Sequence, residues 1–427
     1  MAGGKGTRLF SITRDLIPKP MAKLADKPII EHAVECMVKN DIIDITIIVG
    51  HLGELIEQYV GQGDRWGVNI KYIYEQSPLG TAGALYYLRD SIKDNFALIY
   101  ADILLDVDLN RMLAFHISKD AEATLLVHPN SHPFDSDLVI LSDDLQVMAF
   151  DYKGNVREYD YDNCVNSGVF IFSPQFLTRI NAPEKIDLEK QLLRGMVENN
   201  EAIYGYYSPE YIKDVGTPER LQIAEEEYLK GIVAAKNLKI KQKCVFIDRD
   251  GTINVYHGLI VTPEEIELLP GVAQAIRKLN QSGYLTIIAT NQPVIARGIC
   301  TIEELKGINK RIKTLLGKEG AYIDDLVFCP HHPDRGYPEE VEEYKIDCDC
   351  RKPKIGMLTR CAECYNIDLS SSWYIGDTYR DVMTGKNAGT GTILVCTGEK
   401  DGGKKFDVVP DYFKDSLLDA VELILNP

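Results

Sequence analysis

The stretch CVFIDRDGT, Cys244 to Thr252, constrains this chain more than any other. A short apolar run that ends in Asp248 and Asp250 on a glycine-bearing turn reads as a buried strand, one that delivers two carboxylates to the carboxyl edge of a sheet. Ligands bind at that edge in open α/β folds. One carboxylate can attack phosphorus while its neighbour handles protons; the first must be ionised and near a divalent cation that offsets its repulsion from phosphate. Two aspartates alone are equally an acidic strand-to-turn junction. The rest of the carboxyl-terminal half separates the two readings.

Thr290-Asn291-Gln292 closes the apolar run YLTIIA and puts a hydroxyl and an amide at a second strand end. Lys352 lies in the basic turn Arg351-Lys352-Pro353-Lys354, where it can neutralise charge on a phosphoryl group. Gly376-Asp377 closes a third apolar run, WYI, with Asp381 one helical turn further on. In this order, nucleophile, hydroxyl, lysine and acidic pair resemble the four motifs of the haloacid dehalogenase superfamily of phosphatases. The resemblance implies that Asp248 is the nucleophile, Asp250 the general acid/base, and Thr290 and Lys352 the phosphate anchors. Asn291, Arg297 and Arg351 would meet the substrate. Magnesium would be held by Asp248, Asp377 and Asp250, the last through its backbone carbonyl.

Cys329-Pro330-His331 and Cys348-Asp349-Cys350 form a C-x-H and a C-x-C pair, a ligand set suited to a closed tetrahedral zinc site. Buried free thiols are the alternative, and His332 could compete as the nitrogen ligand. Cys361 and Cys364 share C-x-x-C spacing within a helical pattern and read as structural. Within the superfamily, DRDGTIN, TNQPVIARG, CPHHPD and CDCRKPKIGM look like the heptose bisphosphate phosphatases, which remove the 7-phosphate of D-glycero-D-manno-heptose 1,7-bisphosphate. The resemblance covers residues 243–427 and implies a structural zinc on Cys329, His331, Cys348 and Cys350. Histidinol-phosphate phosphatases share both pairs but have a shorter loop between them. Pro293-Val294 stands where relatives often have Ser-Gly, and Ile355 replaces a proline. The interval between Thr252 and Gly271 is too short for an inserted cap domain, which leaves the zinc loop to supply part of a lid.

The other half opens on Gly3-Gly4-Lys5-Gly6-Thr7-Arg8-Leu9, followed by Pro18-Lys19-Pro20. Glycines let backbone amides approach a triphosphate closely. No Lys-Ser/Thr follows the last glycine, so this is not a Walker A loop, and the dinucleotide fingerprint lacks its third glycine. EQSPLGTAGAL (Glu75 to Leu85), Tyr100-Ala101-Asp102, VNSGVFIF (Val165 to Phe172) and KDVGTP (Lys213 to Pro218) follow in turn.

These five blocks resemble the sugar-1-phosphate nucleotidyltransferases across residues 1–220. In that family a sugar phosphate oxygen attacks the α-phosphorus of a nucleoside triphosphate and expels pyrophosphate, largely by charge stabilisation and alignment. The resemblance implies that Gly3, Gly4, Gly6, Thr7 and Arg8 hold the triphosphate and that Lys19 bridges α-phosphate and sugar phosphate. Gln76, Gly80 and Thr81 would line the base pocket, Asn166 and Gly168 would meet the sugar, and Asp102 with Asp214 would hold magnesium. Relatives usually carry several apolar residues ahead of the glycine loop. This chain begins on the loop, so an inner strand is expected to be missing or to lie upstream. Ala101 replaces a common glycine, and no Glu-Lys pair stands around Glu158-Tyr159-Asp160.

At 427 residues, 45% hydrophobic and 26% charged, the chain has room for two full cores. The fold expected is two α/β domains: a doubly wound, Rossmann-like nucleotidyltransferase sheet at 1–225, a helical linker at 226–242, and a Rossmannoid phosphatase sheet with a zinc loop and no large cap at 243–427. A formal net charge of −17 argues against general nucleic-acid binding while permitting small phosphorylated ligands. No apolar run is long enough for a membrane span, and ten cysteines without a disulfide framework fit a reducing cytoplasm. Together the halves imply a bifunctional enzyme of nucleotide-activated heptose synthesis, using magnesium in both domains and favouring guanosine triphosphate. The alternative is a phosphatase with a non-catalytic nucleotide-binding regulatory domain. Oligomeric state is not legible.

Overall fold

A computed structural model describes residues 1–2, 9–398 and 406–426 and divides the chain into two compact units. The first comprises residues 1–128, 137–152 and 164–237; the second comprises 129–136, 153–163 and 238–427. Passage between them thus falls at Asn237–Leu238, with two excursions inside the amino-terminal half.

In the first unit, helix α1 (Ile29–Lys39) precedes strand β1 (Asp44–Val49), and helix α2 (Gly53–Val60) precedes β2 (Asn69–Tyr74), which pairs in parallel with β1. The apolar run of β1 buries Ile45, Ile47, Ile48 and Val49. Then come β3 (Phe96–Ile99), β4 (Ile103–Asp106), helix α3 (Leu109–Ser118), β5 (Ala123–His128), β6 (Leu138–Leu141), β7 (Val147–Asp151), β8 (Val165–Phe172), β9 (Ile203–Tyr207) and β10 (Tyr211–Asp214). Six of them form a mixed sheet in the order β9-β5-β8-β6-β7, with β3 paired to β8; β10 pairs separately with β4. Phe170, Phe172 and Phe176 stack in the core beneath it.

Two details of this unit bear on the site. Ala2 donates its N–H to the Ile48 carbonyl (2.8 Å), and the Met1 carbonyl accepts from Ala101 (3.0 Å). Residues 1–2 therefore stand beside β1 where the expected inner strand would run. Strand β8 shifts register between Asn166 and Phe170, and Gly168 in that bulge has φ +80°. A Cβ there would meet the Tyr100 ring at 2.7 Å, so the bulge requires glycine. Helix α4 (Pro218–Leu229) starts where the Thr217 hydroxyl accepts from Arg220 N–H and proline occupies the first helical position.

The second unit is built on a fully parallel six-stranded sheet. Its strands are β11 (Lys243–Ile247), β12 (Tyr284–Asn291), β13 (Asp325–Cys329), β14 (Trp373–Gly376), β15 (Gly391–Val395) and β16 (Tyr412–Lys414), in spatial order β13-β12-β11-β14-β15-β16. Alternation along β11 explains the layering. Val245 and Ile247 face a core closed by α5 (Val272–Asn280), α6 (Ile302–Lys318) and α9 (Leu417–Leu425), while Cys244 and Phe246 face one closed by α7 (Gly356–Tyr365). Helix α8 (Tyr379–Ala388) follows β14 directly. With β12 and β14 on opposite sides of β11, the carboxyl end of β11 is a topological switch point, where such sheets bind ligands. Residues 253–269 form only a short return, Val255 donating to Glu267 (2.9 Å) and Leu269 to Ile253 (3.0 Å). No domain is inserted there. Among the described residues no helix is long and apolar enough to cross a membrane.

Candidate functional sites

Three strand ends of the second unit converge. Asp248 follows β11, Thr290 and Asn291 end β12, and Asp377 follows β14. Lys352 Nζ lies 2.8 Å from Asp248 Oδ1 and 2.6 Å from Asp381 Oδ1, with 2% of its side chain exposed. Carboxylate oxygens of Asp248, Asp377 and Asp381 all fall within 4.8 Å of one another. Burial, and then Asp381, push the Asp248 carboxyl up to about 7 against the pull of Lys352. Three carboxylates in one group, with a lysine paired to two of them, leave net negative charge in a buried place, which fits a hard divalent cation. Cβ atoms built on Gly251 and Gly398 would sit 2.5 and 1.9 Å from Asp377 Oδ2, so both glycines make room for that carboxylate.

Asp250 has a different environment. Arg249 grips it through Nε (3.0 Å) and Nη2 (2.9 Å), Gln292 donates to it at 2.9 Å, and Asn254 donates at 3.1 Å. Burial raises its pKa, but Arg249 and these hydrogen bonds outweigh burial and hold it below the usual carboxylate range. Arg249 is itself fully buried and donates to Gln292 Oε1 (2.9 Å). Two neighbouring aspartates are thus pushed in opposite directions, Asp248 toward its protonated form and Asp250 toward its ionised form. The Thr290 hydroxyl accepts from Gln292 (2.9 Å). The Asn291 amide is turned onto the lysine loop, donating to Lys352 O (3.2 Å) and accepting from Lys352 N–H (3.0 Å). In this structure it holds the backbone of Lys352. Arg297 lies over the Tyr337 ring at 4.6 Å, and Arg351 donates to the His331 carbonyl at 3.0 Å.

Cys329, His331, Cys348 and Cys350 meet at the end of β13, with all four ligand atoms within 4.8 Å. Sulfur separations are 3.5 Å (Cys329–Cys348), 3.2 Å (Cys329–Cys350) and 3.2 Å (Cys348–Cys350), and His331 Nδ1 is 3.3 Å from Cys350 Sγ. A tetrahedral ion with metal–sulfur bonds of about 2.3 Å spans ligands at roughly such separations. The group therefore fits a metal. His332 points elsewhere, its Nδ1 accepting from Asp334 N–H (3.1 Å).

In the first unit Lys19 Nζ lies 2.5 Å from Asp102 Oδ2 and 3.7 Å from Asp214 Oδ1, although these residues are far apart in sequence. Arg220 holds the other oxygen of Asp214 at 2.7 Å. Lys19 sits in a short turn opened by Pro18, Asp102 follows β3, and Asp214 ends β10. Gly80, with φ +77°, and Thr81 pack on the 184–188 segment: the Thr81 amide donates to Ile186 O (3.0 Å) and its hydroxyl accepts from Leu188 N–H (2.7 Å). Asn166 Oδ1 accepts from Gly168 N–H (3.2 Å), and its amide nitrogen donates to Glu189 (2.9 Å). Gln76 is exposed. Gly3, Gly4, Gly6, Thr7 and Arg8 lie outside the described residues.

Three participants were missing from the sequence-based site: Arg249 and Gln292, which hold Asp250, and Glu189 beside Asn166; Asp381, read from the sequence as one of an acidic pair but given no role, joins the carboxylate group. Asp381 carried a readable signal, an acidic residue in the first turn of a helix behind a strand-end Gly-Asp. Glu189 carried none, because EKIDLEKQ reads as a solvated charged face.

Comparison with known proteins assigns a nucleotidyl transferase family model to residues 1–231 and a HAD-hydrolase-like model to residues 349–420. The D-glycero-beta-D-manno-heptose-1,7-bisphosphate 7-phosphatase of Haemophilus ducreyi is 36% identical over 188 residues, covering 43% of this chain and 98% of the relative. Among solved structures, the D,D-heptose 1,7-bisphosphate phosphatase from B. bronchiseptica, complexed with magnesium and phosphate, is 32% identical over 43% of this chain and 98% of its own, with a TM-score of 0.38. HddC from Yersinia pseudotuberculosis is 22% identical over 53% of this chain and 96% of its own, with a TM-score of 0.46.

Proposed function

Because the chain belongs to the nucleotidyl transferase family through residues 1–231 and to the D-glycero-beta-D-manno-heptose-1,7-bisphosphate 7-phosphatases through its carboxyl-terminal part, we propose that it catalyses two consecutive reactions on one sugar. The second unit removes the 7-phosphate of heptose 1,7-bisphosphate. The first then joins the resulting heptose 1-phosphate to a nucleotide, with guanosine triphosphate favoured on the likeness of its motifs to guanylyl-transferring enzymes. The observation that carries the reading is Lys352 shared between Asp248 and Asp381, with Asp377 in the same buried group.

In the hydrolytic reaction Asp248 attacks phosphorus, the bond to the C7 oxygen breaks, and that oxygen takes a proton from Asp250. Water then attacks the aspartyl phosphate, Asp250 accepts its proton, and Asp248 is regenerated with release of inorganic phosphate. Arg249 keeps Asp250 ionised for the second step, and an arriving phosphate raises its proton affinity for the first. Lys352 and Thr290 stabilise charge on the transferring group. Asp248, Asp377 and Asp381 would hold magnesium, which when bound offsets the repulsion between nucleophile and phosphate. Cys329, His331, Cys348 and Cys350 would hold a structural zinc.

In the transfer reaction the sugar phosphate oxygen attacks the α-phosphorus and pyrophosphate leaves. Lys19, poised between Asp102 and Asp214, bridges the two phosphates, and those aspartates would hold the second magnesium. Asp248→Asn is expected to lower phosphate release by about 10³-fold or more while leaving transfer from heptose 1-phosphate within about twofold of the parent. A parallel loss of both activities in a folded variant would reject the division.

A further inference from the structure

Glu189 lies in the first turn of a six-residue stretch, Leu188–Leu193, wound as a π-helix, a form often found at functional sites. The segment leading into it is stitched to the 79–83 loop of the first unit. Ile186 N–H donates to Leu79 O (3.0 Å), Thr81 and Ala82 N–H donate to Ile186 O (3.0 and 3.1 Å), and Leu188 N–H donates to the Thr81 hydroxyl (2.7 Å). The approach is close enough that a Cβ on Gly80 or Gly83 would strike the Ile186 or Glu184 carbonyl oxygen at 2.3 or 1.9 Å. Glu189 is thereby fixed to the loop expected to hold the nucleobase, while its Oε1 accepts from Asn166 in the β8 bulge expected to meet the sugar.

Around this carboxyl group polar capacity is left unused. The buried hydroxyl of Tyr152 has no hydrogen-bond partner, that of Tyr100 stands beside Thr81 and Glu189, and both feel the charge of Glu189. A buried hydroxyl without a partner costs about 1–3 kcal/mol, so such a cluster is suited to a ligand that brings its own donors and acceptors. The ligand's chemistry follows from the charges. Burial first, then Asp187 and Asp137, push the Glu189 carboxyl up to about 7. A cluster whose acids already repel one another's negative charge disfavours a phosphate, but it accepts hydrogen bonds from neutral hydroxyls.

We propose that Glu189 binds the hydroxyl-bearing ring of the sugar phosphate, with Tyr100 and Asn166 beside it, and so helps determine which sugar the nucleotidyl-transfer site accepts. The phosphate end would point away, toward Lys19. This inference rests on the transfer reaction proposed above. It also accounts for the absence of a Glu-Lys pair near Glu158: here the carboxylate at the sugar comes from the 184–189 segment.

The test is steady-state transfer kinetics of the full chain with heptose 1-phosphate and its monodeoxy analogues, comparing the parent with Glu189→Gln and Glu189→Ala. Glutamine can still accept from Asn166, so Glu189→Gln preserves the fold contact and removes only the carboxylate. The expected result is a KM for the sugar phosphate raised about 10- to 100-fold, with the KM for the nucleoside triphosphate within about twofold. One monodeoxy analogue should lose affinity on the parent but lose nothing further on Glu189→Ala. Unchanged sugar KM in both variants, or equal changes for sugar and nucleotide, would overturn the assignment. If the parent itself transferred no nucleotide to any sugar 1-phosphate while still releasing phosphate from the bisphosphate, the transfer reading would fail first, and this inference with it.

Discussion

Both units place a lysine between two aspartates delivered by separate elements, yet the two arrangements differ in how much water reaches them. In the phosphatase unit, Lys352 and Asp381 are 2% and 1% exposed, and Asp248 is 13% exposed. In the transferase unit Lys19 is 9% exposed, but Asp102 and Asp214 each keep 37% of their side chains in solvent. A carboxylate that must itself attack phosphorus gains from desolvation and a fixed neighbouring cation. A carboxylate pair that only holds a cation between two incoming phosphorylated substrates must stay open until they arrive. The same three-residue arrangement is therefore closed to water in one unit and open to it in the other, as the proposed roles of nucleophile and template would need.

The largest effect that sharpens this contrast is on stability. Lys352→Met leaves two carboxylates buried without their partner and is expected to destabilise the second unit by about 3–5 kcal/mol, whereas Lys19→Met should cost the first unit about 1 kcal/mol or less. The chain has two tryptophans, Trp66 in the first unit and Trp373 in the second, so single Trp→Phe backgrounds let denaturant unfolding report each unit separately. Equal costs for the two lysines would erase the difference in burial. Next in size, Cys348→Ser should abolish stoichiometric zinc in metal analysis and shift the Trp373-reported transition by on the order of 3 kcal/mol, with the Trp66 transition unmoved. Retained zinc would show that the Cys/His group is not its site. The smallest effect is expected for Asn291→Ala. If its amide positions the Lys352 backbone, phosphatase kcat should fall about tenfold with little change in KM. A rise in KM alone would make Asn291 a substrate ligand instead.

Much of the second unit was legible because local signals agree with one another. CVFID, YLTIIATN and WYIGD are apolar runs that end in functional groups, and a parallel sheet buried on both faces requires that pattern. The convergence of Asp248, Thr290, Lys352 and Asp377 follows from strand order, which motif order anticipates. What remained illegible depends on partners that sequence spacing does not pair. Arg249 grips its neighbour Asp250 and reaches Gln292 across 43 positions; Asn291 finds the Lys352 backbone across 61. His331 could be separated from His332 only by resemblance, and the ring direction that distinguishes them is a matter of loop geometry. In the first unit Lys19, Asp102 and Asp214 were readable as strand-end and turn residues. Glu189 was not, because its significance comes from the packing of residues 184–188 on the 79–83 loop.

One chain is proposed to perform two consecutive reactions on one sugar. Phosphorus NMR of the purified chain with heptose 1,7-bisphosphate and magnesium, recorded before and after each nucleoside triphosphate is added, tests it most directly. The 7-phosphate signal should be lost first, and a new diphosphate ester signal should then appear with guanosine triphosphate, accompanied by pyrophosphate. Loss of the 7-phosphate with no diphosphate ester for any nucleotide would contradict the claim and leave a phosphatase joined to a unit that does not transfer.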